Sequence, residues 1–147
     1  MANYVDVNAK VTYAPSGGGS RITLETTDST LDDVTSGDLV IAGALVGVAV
    51  ADYNADTDTV VIDTMGCYKL SVTGKDTGGS SCAIALGDWL YYDPVSDQVN
   101  RDYINGICIG RALEAVGSGL TAVIGVQIIP IPWSDALAMA AAAAAAA

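Results

Sequence analysis

The chain has no histidine and no phenylalanine, and only six lysines and arginines in 147 residues. Each shortage excludes something. Without histidine there is no Ser-His-Asp or Cys-His nucleophile and no imidazole metal site. The three cysteines, Cys67, Cys82 and Cys108, make a poor zinc site by themselves, so neither metal nor cofactor is expected. Phosphate-binding surfaces work by releasing counterions through clustered cations. Lys10, Arg21, Lys69, Lys75, Arg101 and Arg111 are scattered, so no nucleic-acid partner is expected. Anionic membrane surfaces are disfavoured for the same reason. The N-terminus lacks both a basic stretch and a long apolar run, so no signal peptide is expected. Glutamate is scarce too: Glu25 and Glu114 are the whole supply, and aspartate makes up the rest of the 17 acidic residues. Abundant Asp, Thr, Gly and Val with little Glu or Lys suits strands and turns better than helices.

The length is that of one ordinary domain, and the net charge is −11. The organising stretch is 37–51, Gly-Asp-Leu-Val-Ile-Ala-Gly-Ala-Leu-Val-Gly-Val-Ala-Val-Ala. As one helix it would carry Gly43 and Gly47 internally, each costing about 1 kcal/mol against alanine. As two short strands hinged near Gly43-Ala44, its glycines and β-branched residues both fit. Bounded by Asp38 and Asp52, it falls short of the roughly 20 residues of a membrane helix.

Three regions follow. Residues 1–36 read as an extended N-terminal arm with short strands at Tyr4-Val5, Val11-Thr12-Tyr13 and Ile22 to Leu24, broken by a Pro15 to Ser20 turn. Its apolar content is too low for it to fold alone, so it must lie on its own core or on a neighbour. Residues 37–129 read as the β core. Strands are predicted at 59–63, from Gly66 with Tyr68, Leu70 and Val72 on one face, at 89–92, at 106–113 and at 120–129, with a further short segment within 99–105. Residues 83–86 read as a strand or a single turn. Residues 130–147 read as a projecting tail, proline-stiffened and then alanine-rich, in which Ala140 to Ala147 carry no side-chain information. The predicted fold is a mainly β, compact antiparallel barrel or sandwich. Gly37-Asp38 recurs as Gly87-Asp88, and Leu45 to Ala49 resembles Ile107 to Ala112. A duplicated strand-turn-strand unit is one explanation; the commonness of Gly-Asp turns in small β proteins is the other.

The chemical signals are weak. Gly74-Lys75-Asp76-Thr77 looks like the end of a phosphate loop, but the glycine required five residues earlier is Lys69. Asp52, Asp56 and Asp58 lack the sixth-position glycine and terminal glutamate of an EF-hand, which favours a solvated acidic loop. Glu25 and Glu114 could pair as acid and base only by accident of folding; two surface carboxylates is the plainer reading. Alternation puts Trp89 and Tyr91 on one face and Leu90 and Tyr92 on the other. The first pair would then make a contact surface or a glycan-stacking platform. The cysteines read as buried small hydrophobes, with a disulfide, particularly one between chains, as the alternative.

Thr35-Ser36-Gly37-Asp38-Leu39-Val40 with Leu45-Val46-Gly47-Val48-Ala49 resembles the central signature of a family of tailed-phage capsid decoration, or cement, proteins. Tyr4-Val5, Val11 to Pro15, Gly66 with Tyr68 and Leu70, and Gly87-Asp88 with Leu90 to Asp93 match in the same order. Gly110, Ala112 to Ala115, and Gly119 with Val123 and Val126 complete the series. Residues 20–34 look like an insertion, and Arg111 stands where a small apolar residue is usual. The resemblance implies a virion structural protein, made in the host cytoplasm and carried on the outer surface of the capsid as a homotrimer. Its partners would be the major capsid protein and itself. Contacts are expected from Tyr4, Val5, Val11, Tyr13, Trp89 and Tyr91, and no catalytic residue is implied. A recombinase label once attached to such proteins finds no phosphate loop or basic surface here. The rival class is a glycan- or host-surface-binding module using Trp89 and Tyr91; a lyase or hydrolase ranks third.

Overall fold

The computed structural model describes residues 21–25, 31–43 and 45–129. They are mainly β, as the composition predicts. The strands are β1 (Arg21–Glu25), β2 (Leu39–Ala42), β3 (Leu45–Ala49), β4 (Thr59–Asp63), β5 (Gly66–Thr73), β6 (Trp89–Asp93), β7 (Gln98–Asn100), β8 (Ile107–Ala112) and β9 (Thr121–Ile128). Two compact units divide the chain, Met1–Tyr68 and Lys69–Ala147. The division falls inside the 37–129 stretch and within β5.

The first unit is an antiparallel sheet in the order β1-β4-β3-β2. The stretch at 37–51 forms two strands turning at Gly43, with Ala42 opposite Leu45 and Leu39 opposite Val48. Two residues between paired strands is the tight hairpin connection that glycine favours. Val40, Ala49, Val60 and Ile62 are buried, and Leu24, Leu31, Val34, Leu45 and Tyr53 pack against them. β1 runs the length of β4, with Ile22 opposite Ile62 and Leu24 opposite Val60. Only Leu24 of β1 is even half-buried.

The second unit is a closed barrel, β5-β7-β6-β8-β9. On β5 the predicted face is the inner one: Leu70 and Val72 are buried while Cys67, Lys69 and Ser71 face out. Leu90, Ile109, Val126 and Ile128 fill the interior. Thr73 and Thr121 share a hydroxyl hydrogen bond of 2.9 Å where the end of β5 meets the start of β9. The Asp93-Pro94 step ends β6, as expected of a residue that cannot donate to a ladder. Asp93 then organises the turn into β7, accepting from the Val95 N–H at 2.9 Å and the Ser96 hydroxyl at 2.7 Å.

The Ser96 hydroxyl, aided by the Val95 N–H, holds the Asp93 carboxyl below its ordinary value of 3.8. Folding therefore favours the carboxylate. The turn's contribution is complete above the ordinary value and is lost as pH falls through the lower folded one. Denaturant melts at pH 5 and pH 3 are expected to show a drop in barrel stability that is smaller in Asp93→Asn. An equal drop in both proteins would exclude Asp93 as a source.

The repeated Gly-Asp pair marks a real structural repeat. Gly37 N–H donates to the Ala49 carbonyl at 2.8 Å, and Ala49 N–H to the Asp38 carbonyl at 2.9 Å. Gly87 and Asp88 make the same two bonds with Ala112, at 2.8 and 2.9 Å. Asp38 Oδ2 accepts from the Thr35 N–H at 2.9 Å, and Asp88 Oδ2 from the Ala85 N–H at 2.8 Å. Both glycines take left-handed φ, 96° and 89°. The Val34 carbonyl accepts the Tyr53 N–H, and the Ile84 carbonyl the Val116 N–H, each at 2.9 Å. Strand order agrees as well: β1-β4-β3-β2 in one unit matches β5-β9-β8-β6 in the other. Only β7 lacks a counterpart among the described residues. It lies within residues 94–106, where the first unit has the tight turn at Gly43.

Candidate interaction surface

Tyr4, Val5, Val11 and Tyr13, four of the six expected contact residues, lie outside the described residues, as do the 15–20 turn and the 130–147 tail. Trp89 and Tyr91 are described, and the structure separates them. Leu90 pairs with Gly110 and Tyr91 with Cys108, so Ile109 is an extra residue on β8 and the register shifts. Such a bulge interrupts simple alternation. Leu90 and Tyr91 are consequently both buried, at 0% and 5% exposure, and of the predicted pair only Trp89 is left half-exposed. The paired-ring platform predicted from alternation is thus corrected: Tyr91 offers no ring to a glycan or a neighbouring protein. Burial, its largest cause, pushes the Tyr91 hydroxyl up to about 12.

The bulge rests on Gly110. Its φ is 155°, and a Cβ there would fall 1.8 Å from the Gln127 carbonyl oxygen. Gly47 is the matching position opposite Val40, and a Cβ there would sit 2.9 Å from the Asp63 carbonyl oxygen. Both glycines let the neighbouring strand approach closely.

Arg111, where a small apolar residue is usual, lies directly opposite Trp89. Its guanidinium stacks over the indole, 5.3 Å from the ring centroid, and Nη2 donates to Gln127 Oε1 at 3.4 Å. Leu39 and Val48 hold the equivalent positions in the first unit. A cation-π pair has replaced an aliphatic one, which keeps the indole covered while leaving a charge at the surface.

No two of the three cysteines are bonded to each other. The expectation of three buried thiols fails: Cys67 is exposed, and Cys82 and Cys108 are half-buried. β5 alternation turns Cys67 outward, since its neighbours Gly66 and Tyr68 take the inner side. Burial raises the Cys108 thiol to about 11, which leaves it protonated and unreactive at neutral pH. Cys82 has a cationic neighbour that sequence spacing did not reveal. Arg101 Nη1 donates to its Sγ at 3.2 Å and to the Ala83 carbonyl at 3.3 Å, while Arg101 Nε lies 3.7 Å from Asp88. Arg101 therefore ties the exit of β7 to the Gly87-Asp88 turn.

The remaining polar signals are absorbed by folding. Gly74 N–H donates to Leu120, its carbonyl accepts from Cys82 and Gly119, and a Cβ there would come 2.3 Å from the Gly117 oxygen. It is a packing junction. Asp52 accepts from the Ser36 N–H and Asp58 from the Tyr53 hydroxyl. No three acidic or thiol groups cluster for a metal among the described residues. Glu25 and Glu114 fall in different units. Glu114 is occupied by Lys69 and the Gly125 N–H, which hold its carboxyl below the usual range. What the surface does offer is apolar: Leu86, Val95, Ile104, Leu120 and Val123 are each more than 60% exposed. Strand periodicity could have flagged Val123. The other four lie between strands, where sequence gives no facing rule.

A family model of phage cement proteins matches residues 18–128. The chain belongs to the phage cement protein family. The match covers every strand from β1 to β9, so both halves of the structural repeat are part of what defines a cement protein here. The family assigns the chain to the phage capsid as a structural component. It includes all of residues 20–34, the apparent insertion, and leaves out Tyr4-Val5 and Val11 to Pro15. No curated protein matches the chain, and no solved structure does.

Proposed function

We propose that this cement protein binds the outer surface of the phage head and stabilises it against the pressure of packaged DNA. It acts as a homotrimer at three-fold or quasi-three-fold positions of the major capsid protein lattice. The family match over residues 18–128 carries this reading. The physical logic supports it. Packaged DNA forces the shell outward, and a trimer gripping several subunits at once opposes their separation. Each grip can be weak, because linking three raises avidity by about 10² or more. Binding to the assembled lattice alone then stabilises it by mass action.

A net charge of −11 keeps particles apart and is indifferent to DNA. Tyr4, Val5, Val11, Tyr13 and Trp89 are the proposed contacts with the shell and between subunits. Co-sedimentation with undecorated heads tests the reading. The full chain is expected to pellet with heads, and the chain lacking residues 1–14 to stay folded in the supernatant. Full occupancy by the truncated chain would reject the arm's role; failure of the full chain to pellet would reject capsid binding.

A further inference from the structure

The loop from β7 to β8 is organised by one residue. Asp102 is buried, at 4% exposure, and its own N–H donates to Asn100 Oδ1 at 2.8 Å. Its Oδ1 accepts the N–H groups of Ile104 and Asn105 at 3.0 and 3.1 Å, and its Oδ2 accepts from Asn105 Nδ2 at 2.9 Å. The Asp102 carbonyl accepts the Gly106 N–H at 3.0 Å. An aspartate that satisfies the turn following it is common. Here it also ties down both reacting groups of the chain's single Asn-Gly pair, Asn105-Gly106. Packing demands that glycine: a Cβ at position 106 would fall 2.5 Å from the Asp102 carbonyl oxygen and 2.5 Å from Tyr91 Cβ. Asn105 itself is exposed, within reach of water.

We propose that Asn105 is a deamidation site that the Asp102 bonds hold in check, and that a loop once deamidated does not return to its folded arrangement. An Asn-Gly pair is prone to this reaction because glycine, lacking Cβ, lets its nitrogen swing onto the asparagine side chain. The Gly106 nitrogen gives up its proton and bonds to Asn105 Cγ. The Cγ–Nδ2 bond breaks, and Nδ2 takes up a proton and leaves as ammonia. Water then opens the resulting succinimide to aspartate or isoaspartate. In the closed loop neither end of that exchange is free: the Gly106 N–H is bonded to the Asp102 carbonyl and Asn105 Nδ2 to Asp102 Oδ2. The reaction therefore waits on local opening of the loop. Reclosing is then opposed twice. A carboxylate at position 105 has no proton to donate to Asp102 Oδ2, and sets two like charges side by side. Isoaspartate also adds a carbon to the main chain next to Gly106, where not even a Cβ fits. Each opening that ends in reaction is thus irreversible, and it loosens the loop that leads into β8.

The test uses the full chain in solution, without heads, so its outcome is independent of the cement reading. The chain is incubated at mildly alkaline pH in native buffer and in guanidinium chloride, and peptide mapping by mass spectrometry follows the conversion of Asn105. Conversion is expected to be at least about tenfold slower in native buffer, as even a shallow opening equilibrium requires. In Asp102→Asn, which replaces one acceptor oxygen by a donor, the native-buffer rate should rise toward the denatured one. Equal rates in the two solvents for the unmodified chain, or an unchanged native rate in Asp102→Asn, would overturn the restraint. Amide hydrogen exchange then compares Asn105→Asp with Asn105→Ala. Both lose the bond to Asp102 Oδ2 and only the first adds a charge, so exchange at Ile104 to Gly106 is expected to be faster in Asn105→Asp. Equal or slower exchange there would overturn the one-way step.

Discussion

Gly110→Ala is expected to destabilise the protein by about 3–5 kcal/mol, from left-handed strain and a backbone clash together. The clash cannot be relieved by rotating a side chain. The atom in the way is the Gln127 carbonyl oxygen, 1.8 Å from where the methyl would be, and it belongs to the ladder that pairs β8 with β9. Either the bulge flattens, turning Tyr91 toward solvent, or β9 moves away and opens the barrel. Gly87→Ala separates strain from crowding. Gly87 also has a positive φ, 89°, but nothing lies within 4 Å of its added methyl. Its cost should be only about 1–2 kcal/mol. Chemical denaturation of the three proteins makes the comparison; equal stability of Gly110→Ala and the parent would mean the bulge is not where the structure puts it.

Leu90→Ala is expected to cost about 2–5 kcal/mol, the usual range for emptying a fully buried leucine site. Leu90 has 0% exposure and sits next to the bulge, where Gly110 brings no side chain to refill the cavity. Leu86→Ala, at a leucine 71% exposed just before the Gly87-Asp88 turn, should stay within about 0.5 kcal/mol of the parent. Equal effects in the two variants would contradict the assignment of β6's inner residues. A parent-like Leu90→Ala would do so outright.

Much of the strand plan was legible because it follows from local patterning. Gly43 and Gly47 ruled against a helix at 37–51, and the hairpin formed. Gly66, Tyr68, Leu70 and Val72 alternate, and their face is the inner one. What could not be read depends on contacts between distant residues. Nothing local shows that Ile109 is an extra residue, so strict alternation from Trp89 misplaced Tyr91. β7 is three residues long and pairs in parallel with β5 through Val99 and Val72, 27 positions apart, which no hydrophobic period announces. The repeat of Gly37-Asp38 at Gly87-Asp88 was visible but weak as sequence. It became decisive only once both turns made the same bonds to Ala49 and Ala112. The contact of Arg101 with Cys82 belongs to the same class, because β7 had to be placed before the arginine could be.

Membership in the cement family places the chain on the capsid; the claim that it strengthens the shell is a mechanical one. Release of packaged DNA, followed by dye fluorescence during heating or after osmotic downshock, measures that directly on heads with and without the protein. Decorated heads are expected to hold their DNA to a higher temperature and a larger dilution, and adding the purified chain to bare heads should restore that margin. Identical release curves for bare and fully decorated heads would contradict the account.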